Sequence, residues 1–296
     1  MRYATVCSGI GAPSVAWATL DWRPIFFSEI ERFPCRLLAE RFPQVPNHGD
    51  ITKYKDWPDY AIDLLVGGTP CQSFSVSGKR QGLADRRGNL AMVYLAILGK
   101  YRPRWIIWEN VLGVVSSNAG RDFSTFLSAL AECGYHAAWR VLDARDYGLP
   151  QMRRRLFLVG YFGDWRPAAK VLFEPDNLQD TAALGEEAQE ADAEAARGGS
   201  YSDFYRRLGR GYYKPDKVAS TCMASANSAD KSDIVLDCGR PRRLTPLEYE
   251  RLMGYPDGWT DIAGASDTAR YQAIGNSMAV NCVRWIGQRI SEVEND

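Results

Sequence analysis

A cysteine, a glutamate and a pair of arginines, each beside an apolar run, are the residues of this chain best suited to nucleophilic and acid–base chemistry. Cys71 stands in Gly67-Gly68-Thr69-Pro70-Cys71-Gln72, directly after the apolar run 63–66. The residues beyond it, Ser73, Ser75, Ser77, Gly78, Lys79 and Arg80, make a polar, glycine-punctuated and basic loop. Nearby positive charge favours the thiolate, which is the reactive form of the side chain. Taken alone, however, a cysteine is more often an inert, small core residue. Glu109 ends the apolar run 105–108 within Glu109-Asn110-Val111, where a helix cap or a turn would place it equally well. Gln151-x-Arg153-x-Arg155 leads into the apolar run 156–160. Alternation along a strand would put both arginines on one face, with a surface cluster as the plainer alternative.

A second group of residues reads as a binding site. Cys7-Ser8-Gly9-Ile10-Gly11 follows the first β-rich run, and its two glycines permit a tight turn and close approach of a ligand to the main chain. Position 14 is Ser, so the pattern is not a full G-x-G-x-x-G and a dinucleotide is not the first expectation. Glu29, at the end of the second run, is placed to accept hydrogen bonds from ribose hydroxyls. Asp50-Ile51, after a third extended segment, would offer an acceptor to an adenine amino group. Together these residues point to an adenosine-containing cofactor that needs no phosphate recognition.

Such residues need a scaffold that brings the ends of several runs together. Residues 3–6, 24–28, 63–66, 104–108, 137–142 and 156–161 read as strands, and 32–41, 90–100 and 122–133 as helices between them. This alternation predicts an α/β, doubly wound, mostly parallel sheet with helices on both faces. Ligands in such folds bind beyond the carboxyl ends of the strands, where the Cys7–Gly11 turn, Glu29, Cys71 and Glu109 fall. The character changes after Trp165. Residues 174–197 are Ala-rich and acidic, as expected of a solvated helix or insert. Residues 201–243 turn basic and rich in Gly, Ser and Tyr with weak patterning, and helical stretches follow at 245–253 and 277–290. The domain reading is therefore a catalytic domain at 1–165 completed by 271–296, a small irregular lobe at 166–240, and a hinge with a connecting helix at 241–270.

Composition narrows the classes further. The 296 residues carry 36 Lys plus Arg against 36 Asp plus Glu, a net charge of zero that excludes nucleic-acid binding by bulk positive charge while leaving room for a basic cleft. No run approaches the roughly 18 consecutive apolar residues of a membrane span. The apolar character of residues 1–20 is broken by Cys7, Gly9, Gly11 and Pro13, which argues against a signal peptide. Seven cysteines without a C-x-x-C pair, and only two histidines, outline neither a disulfide framework nor a zinc or other metal site. Reduced cysteines and a cytoplasmic location are expected.

Taken in order, these motifs give the chain a family resemblance over nearly its whole length. It resembles the cytosine-C5 DNA methyltransferases of bacterial or phage type. The motifs that carry the likeness are Cys7-Ser8-Gly9-Ile10-Gly11, Glu29, Asp50-Ile51, Pro70-Cys71-Gln72, Glu109-Asn110-Val111 and Gln151-x-Arg153-x-Arg155. They continue with Arg243-Leu244-Thr245-Pro246-x-Glu248, Arg251-Leu252-Met253-Gly254-Tyr255-Pro256 and Gly275-Asn276-Ser277. The resemblance implies a Rossmann-like fold and methyl transfer from S-adenosylmethionine to C5 of a flipped-out cytosine in double-stranded DNA. Cys71 would attack C6, Glu109 would act at N3, and Arg155 with Arg153 in support would hold the base. Ser8, Gly9, Ile10, Gly11, Glu29, Ile30, Asp50, Ile51, Pro70, Leu90, Tyr255, Asn276 and Met278 would form the cofactor pocket. Gln72, Ser77, Lys79, Arg80, Arg87 and Thr221 would contact DNA, with residues 73–88 as the mobile catalytic loop. A monomer is expected, with any cognate restriction endonuclease encoded separately.

The chain also departs from the family pattern. Cys7 stands where the family usually has Phe, and Ile30 where a Trp is often found. The recognition segment is short, with 212–237 its best base-reading candidate. Two other readings remain: cytosine methylation in RNA, since an RNA-acting branch shares these motifs, and a catalytically silent DNA- or cofactor-binding protein. If DNA contact is confined to one basic cleft of a neutral protein, non-specific affinity should fall steeply between 50 and 200 mM salt. Fluorescence anisotropy on a labelled duplex measures this, and salt-independent binding would contradict the single cleft.

Overall fold

The computed structural model describes residues 1–70, 90–173, 204–209, 212–224, 233–237 and 240–296. Cys71, Gln72, Ser77, Lys79, Arg80, Arg87 and the acidic stretch at 174–197 lie outside the described residues. The large sheet contains β1 (Arg2–Val6), β2 (Arg23–Ser28), β3 (Leu64–Gly67), β4 (Trp105–Asn110), β5 (Tyr135–Asp143) and β6 (Arg154–Phe162). Its order is β2-β1-β3-β4-β6-β5. The first four strands pair in parallel, whereas β6 runs antiparallel to both β4 and β5. The reversal matters for the site. It brings the start of β6 to the edge where β1 to β4 end, so Arg154 and Arg155 lie beside the carboxyl end of β4.

The central strands are short apolar runs because both of their faces are covered. Alternation sorts their side chains into two cores. Tyr3, Leu64, Val66, Trp105, Ile107, Phe157 and Val159 point to one face. Ala4, Leu65, Ile106, Trp108, Leu156 and Leu158 point to the other. On the sequence side of this frame lie α1 (Ala12–Ala16), α2 (Arg32–Arg41), α3 (Leu90–Tyr101), the short α4 (Gly113–Ser116), α5 (Arg121–Glu132) and α6 (Arg166–Leu172). Helices α3 and α5 bury Tyr94, Leu98, Phe123 and Phe126 in the second core. Helix α6, at the head of the segment expected to form the small lobe, buries Ala168, Val171 and Leu172 in the first core and packs on β5 and β6.

The weakly patterned segment after it contains β7 (Phe204–Gly209), β8 (Tyr212–Asp216), β9 (Ile234–Asp237) and β10 (Arg240–Arg243), an antiparallel sheet of order β10-β9-β7-β8. Three helices follow: α7 (Pro246–Leu252), α8 (Asp267–Asn276) and α9 (Val280–Asn295). The Thr245-Pro246-x-Glu248 motif is the start signal of α7. Thr245 Oγ1 accepts from the Glu248 amide at 3.2 Å, Glu248 Oε2 accepts from the Thr245 amide at 2.6 Å, and Pro246 occupies the first turn. This reciprocal capping satisfies amides that no helical carbonyl can reach. Arg242 then grips both Glu248 oxygens at 2.9 Å, fastening β10 to the helix.

Helix α9 joins the end of the chain to its beginning. Trp17, just past α1, donates its indole N–H to the Val283 carbonyl at 2.9 Å. Gly287 faces the same indole, and a Cβ there would overlap the ring. An alanine in a helix interior ordinarily stabilises by about 1 kcal/mol relative to glycine. Overpacking reverses the sign here: Gly287→Ala should destabilise by about 1–3 kcal/mol. Thermal denaturation checks this, and a raised melting temperature would show that Trp17 yields at no cost.

Candidate active site

At the carboxyl edge of the sheet lies an open cleft lined by residues from both ends of the chain. Thr5, Cys7, Ser8 and Gly9 come from β1 and the turn after it, Gly68 from the turn after β3, Glu109 from β4, and Asn276, Ser277 and Met278 from the link between α8 and α9. The turn after β1 is held open by its backbone. Cys7 has φ +51° and Gly9 φ +54°, and no atom lies within 4 Å of where a Gly9 Cβ would be. Glu29 fixes this turn from below: Oε2 accepts from the Gly9 amide at 2.7 Å, and Oε1 from the Ile30 and Glu31 amides at 2.8 and 2.9 Å. Asn47 holds the Glu29 main chain in turn, at 2.9 Å to its amide and 3.1 Å to its carbonyl. Cys7 is not a second nucleophile. Burial, reinforced by the Glu29 charge, pushes its thiol up to about 12.

On the other wall, Glu109 and Arg155 meet because β6 is reversed. Glu109 pairs with Phe157 in the ladder, and Arg155 stands two residues earlier on the same strand. Arg155 Nε lies 3.4 Å from Glu109 Oε1, an ion-pair contact in which that oxygen still has no hydrogen-bond partner among the described residues. Burial raises the Glu109 carboxyl above its ordinary range, against the opposing pull of Arg153 and Arg155. Burial and the like charge of Arg153 lower Arg155 to about 10, so it stays cationic at neutral pH. The cleft therefore holds a carboxyl group with raised proton affinity and an open acceptor, beside a permanent cation.

Arg153 is placed differently from the expectation that it shares a face with Arg155. It precedes β6, is 3% exposed, and donates to the carbonyls of Cys222 (3.3 Å), Gly275 (3.3 Å) and Ser277 (2.5 Å). It thus ties the small lobe to the link that forms one wall of the cleft. Gln151, fully buried, joins the small lobe to the end of α7, donating to the Leu252 carbonyl and accepting from the Cys222 amide. Main-chain bonds Met152 N to Ala219 O and Ala219 N to Pro150 O, both 2.9 Å, complete the joint. Thr221, expected to contact DNA, donates its hydroxyl to the Met152 carbonyl within it.

A family model described as C-5 cytosine-specific DNA methylase matches residues 1–183 and 170–292. The chain belongs to the C-5 cytosine-specific DNA methylases. Among relatives of this methylase, the type II methyltransferase M1.ScrFI of Lactococcus lactis subsp. cremoris is 33% identical, with 97% of this chain and 77% of that protein covered. A DNA N-6-adenine-methyltransferase of Escherichia phage P1 is 29% identical over 98% of this chain, which spans 61% of that protein's length. The crystal structure of S. pombe Dnmt2 methyltransferase shares the fold, with a TM-score of 0.71 over 100% of both chains at 18% identity.

Within this methylase, the cleft brings together Ser8, Gly9, Glu109, Asn276 and Met278 of the residues expected from sequence. The Ile10, Ile51 and Tyr255 side chains are buried in the core instead. Ile10 could reach a ligand only through its main chain, and Tyr255 acts through its hydroxyl contact with Ser277. Gly11, with φ +78°, packs against Leu38 and Phe42. Asp50 caps the turn beginning at Ile51 by accepting from the Thr52 amide at 2.9 Å. Ile30 is 69% exposed at the end of β2, Pro70 is exposed, and Leu90 opens α3. Sequence reading missed Thr5, Pro13 and Val66 as lining residues, since nothing in their type marks them. The arrangement fits an adenosine sulfonium cofactor. The lining has an open glycine turn, a carboxylate at a strand end and, among the described residues, no Lys or Arg for phosphate. Glu29 and the exposed Ile30 stand just past the end of the neighbouring β2.

A pH dependence follows from Glu109. Its folded-state pKa lies above the unfolded value, so the native state holds the extra proton between the two. Stability is then lost as pH rises through that window. Glu109→Gln cannot ionise, and its melting temperature should exceed that of the wild type by a margin that widens as pH rises through that window. A difference that is flat or reversed across this range would show that the carboxylate is stabilised rather than strained.

Proposed function

We propose that this methylase transfers a methyl group from S-adenosylmethionine to C5 of cytosine in a specific double-stranded DNA sequence, through a covalent bond between Cys71 and C6. The observation that carries the reading is the meeting of Glu109 and Arg155 at the cleft that Gly9, Asn276 and Met278 share. When bound, S-adenosylmethionine would supply an electrophilic methyl group, held by the turn after β1 and the link after α8.

The residues divide the remaining work. Cys71 as thiolate adds to C6, which breaks the aromaticity of the ring and makes C5 nucleophilic. Negative charge then develops toward N3 and O2. A protonated Glu109 donates to N3, and its raised proton affinity at the wall of the cleft is what that role requires. Arg155 supplies fixed positive charge on the same side, which also favours the thiolate. A solvent base then takes the C5 proton. The electrons of that bond re-form the C5–C6 double bond and expel Cys71 as thiolate, and N3 returns its proton to Glu109. Because C6 is inaccessible within stacked duplex, the cytosine must leave the stack to reach Cys71 and Glu109. The basic residues Lys79, Arg80 and Arg87, with Gln72 and Ser77, would contact the DNA around the vacated position.

The test is to trap the adduct on duplexes carrying 5-fluorocytosine, where loss from C5 is blocked after methyl transfer. Wild-type protein with S-adenosylmethionine should form a denaturant-resistant complex through Cys71. Cys71→Ser should form none, while still binding S-adenosylhomocysteine within about threefold of wild type. Modification of RNA but not of duplex DNA would move the reading to an RNA substrate. Near-full activity in Cys71→Ser would remove Cys71 as the nucleophile.

A further inference from the structure

The segment that leads to Cys71 leaves the sheet at Gly67, the last residue of β3, which pairs with Trp108 of β4. Beyond this point β4 continues for two residues, Glu109 and Asn110, while the neighbouring chain turns away through Gly68, Thr69 and Pro70. Two β4 side chains take over where this pairing ends. Trp108 donates its indole N–H to the Thr69 hydroxyl at 2.9 Å, and Asn110 donates its amide to the Thr69 carbonyl at 3.0 Å. The Asn110 side chain is itself oriented, since its oxygen accepts from the Val111 amide at 2.9 Å. Thr69 is 2% exposed, Trp108 fully buried and Asn110 4% exposed, so neither bond competes with solvent.

The positions of the donors give the arrangement its meaning. Side chains alternate along a strand, so Trp108 and Asn110 lie on one face and Glu109, between them, on the other. The two residues that grip Thr69 therefore flank the residue that faces the cleft. From beneath, the Tyr94 ring packs so closely on Gly67 that a Cβ there would lie 2.7 Å from it. Tyr94 is anchored by donating to the Leu65 and Ile107 carbonyls at 3.3 and 3.2 Å. With hydroxyl and carbonyl both held, the direction in which the chain leaves Thr69 is fixed relative to Glu109.

We infer that Thr69 is a positioning residue, clamped by Trp108 and Asn110 so that the chain leading to the nucleophile is anchored beside Glu109. The inference rests on the methyl-transfer reading above, in which both residues act on one cytosine. Misplacement of a reacting group by about 1 Å is enough to cost on the order of a hundredfold in rate.

The variants are Thr69→Val, which removes the hydroxyl and keeps the shape, Thr69→Ser, which keeps the hydroxyl, and Trp108→Phe, which removes the indole donor. Single-turnover methyl transfer should fall by about ten- to a hundredfold in Thr69→Val. S-adenosylhomocysteine affinity should stay within about twofold, and Thr69→Ser should recover to within about threefold of wild type. Trp108→Phe in the Thr69→Val background should slow transfer no further. Hydrogen exchange of peptides covering 67–72 gives a readout independent of substrate, and should be faster in Thr69→Val than in wild type. Unchanged exchange, or unchanged transfer in Thr69→Val, would overturn the clamp, as would a loss that Thr69→Ser fails to restore. A wild-type protein that transfers no methyl group to any duplex would instead overturn the assigned function, and the exchange measurement would still decide the clamp.

Discussion

A buried guanidinium that cannot give up its proton must find acceptors, and at Arg153 they come from two separate parts of the chain. The carbonyls of Cys222, Gly275 and Ser277 converge on it at the junction of the small lobe, the end of α8 and the lead into β6. An unpaired charge in this place would carry a desolvation penalty of several kcal/mol. The three segments are therefore held in register as a condition of folding, and two of them border the reactive cleft. Asn276 and Met278 line the cleft from the link that Arg153 holds, and Arg155 follows two residues after it on β6.

The direction of β6 is the second constraint. In an all-parallel sheet, the arginines before β6 would lie at the edge opposite to Glu109. Reversal places them at the same edge, and the ladder pairing of Glu109 with Phe157 sets how close they come. Burial then raises the proton affinity of Glu109, while Arg155 remains charged beside it. Acid and cation are thus produced by the topology of one strand, not by proximity in sequence.

Much of this was legible from the residues. The six strands of the large sheet follow from apolar runs of strand length, and the Thr245-Pro246-x-Glu248 signal marks the start of α7 where it is observed. Ser8, Gly9, Glu109, Asn276 and Met278 could be assembled from motif order alone. The reversal of β6 was not legible, because a buried run reads the same in either direction. The role of Arg153 was hidden for a related reason: alternation speaks only within a strand, and Arg153 precedes β6. The four short strands of the small lobe escaped because their sequence alternates weakly and their partners are distant. The two bonds to Thr69 depend on which pairing ends first at the sheet edge, a matter of register that local sequence does not encode.

Gly275 has one more consequence. A Cβ there would collide with main-chain atoms of Met223 and Ala224, so the small lobe crosses α8 at backbone distance. On the lobe side this crossing uses carbonyls, amides and Cα atoms, at Ala219, Cys222, Met223 and Ala224. Main-chain atoms are common to every amino acid. The small lobe's share of the coupling is therefore carried in large part by the main chain, to which the Thr221 hydroxyl and the buried Ala219 and Cys222 side chains add. An alanine at Gly275 would therefore press on the backbone of the lobe, where no change of side chain on the lobe side can relieve it.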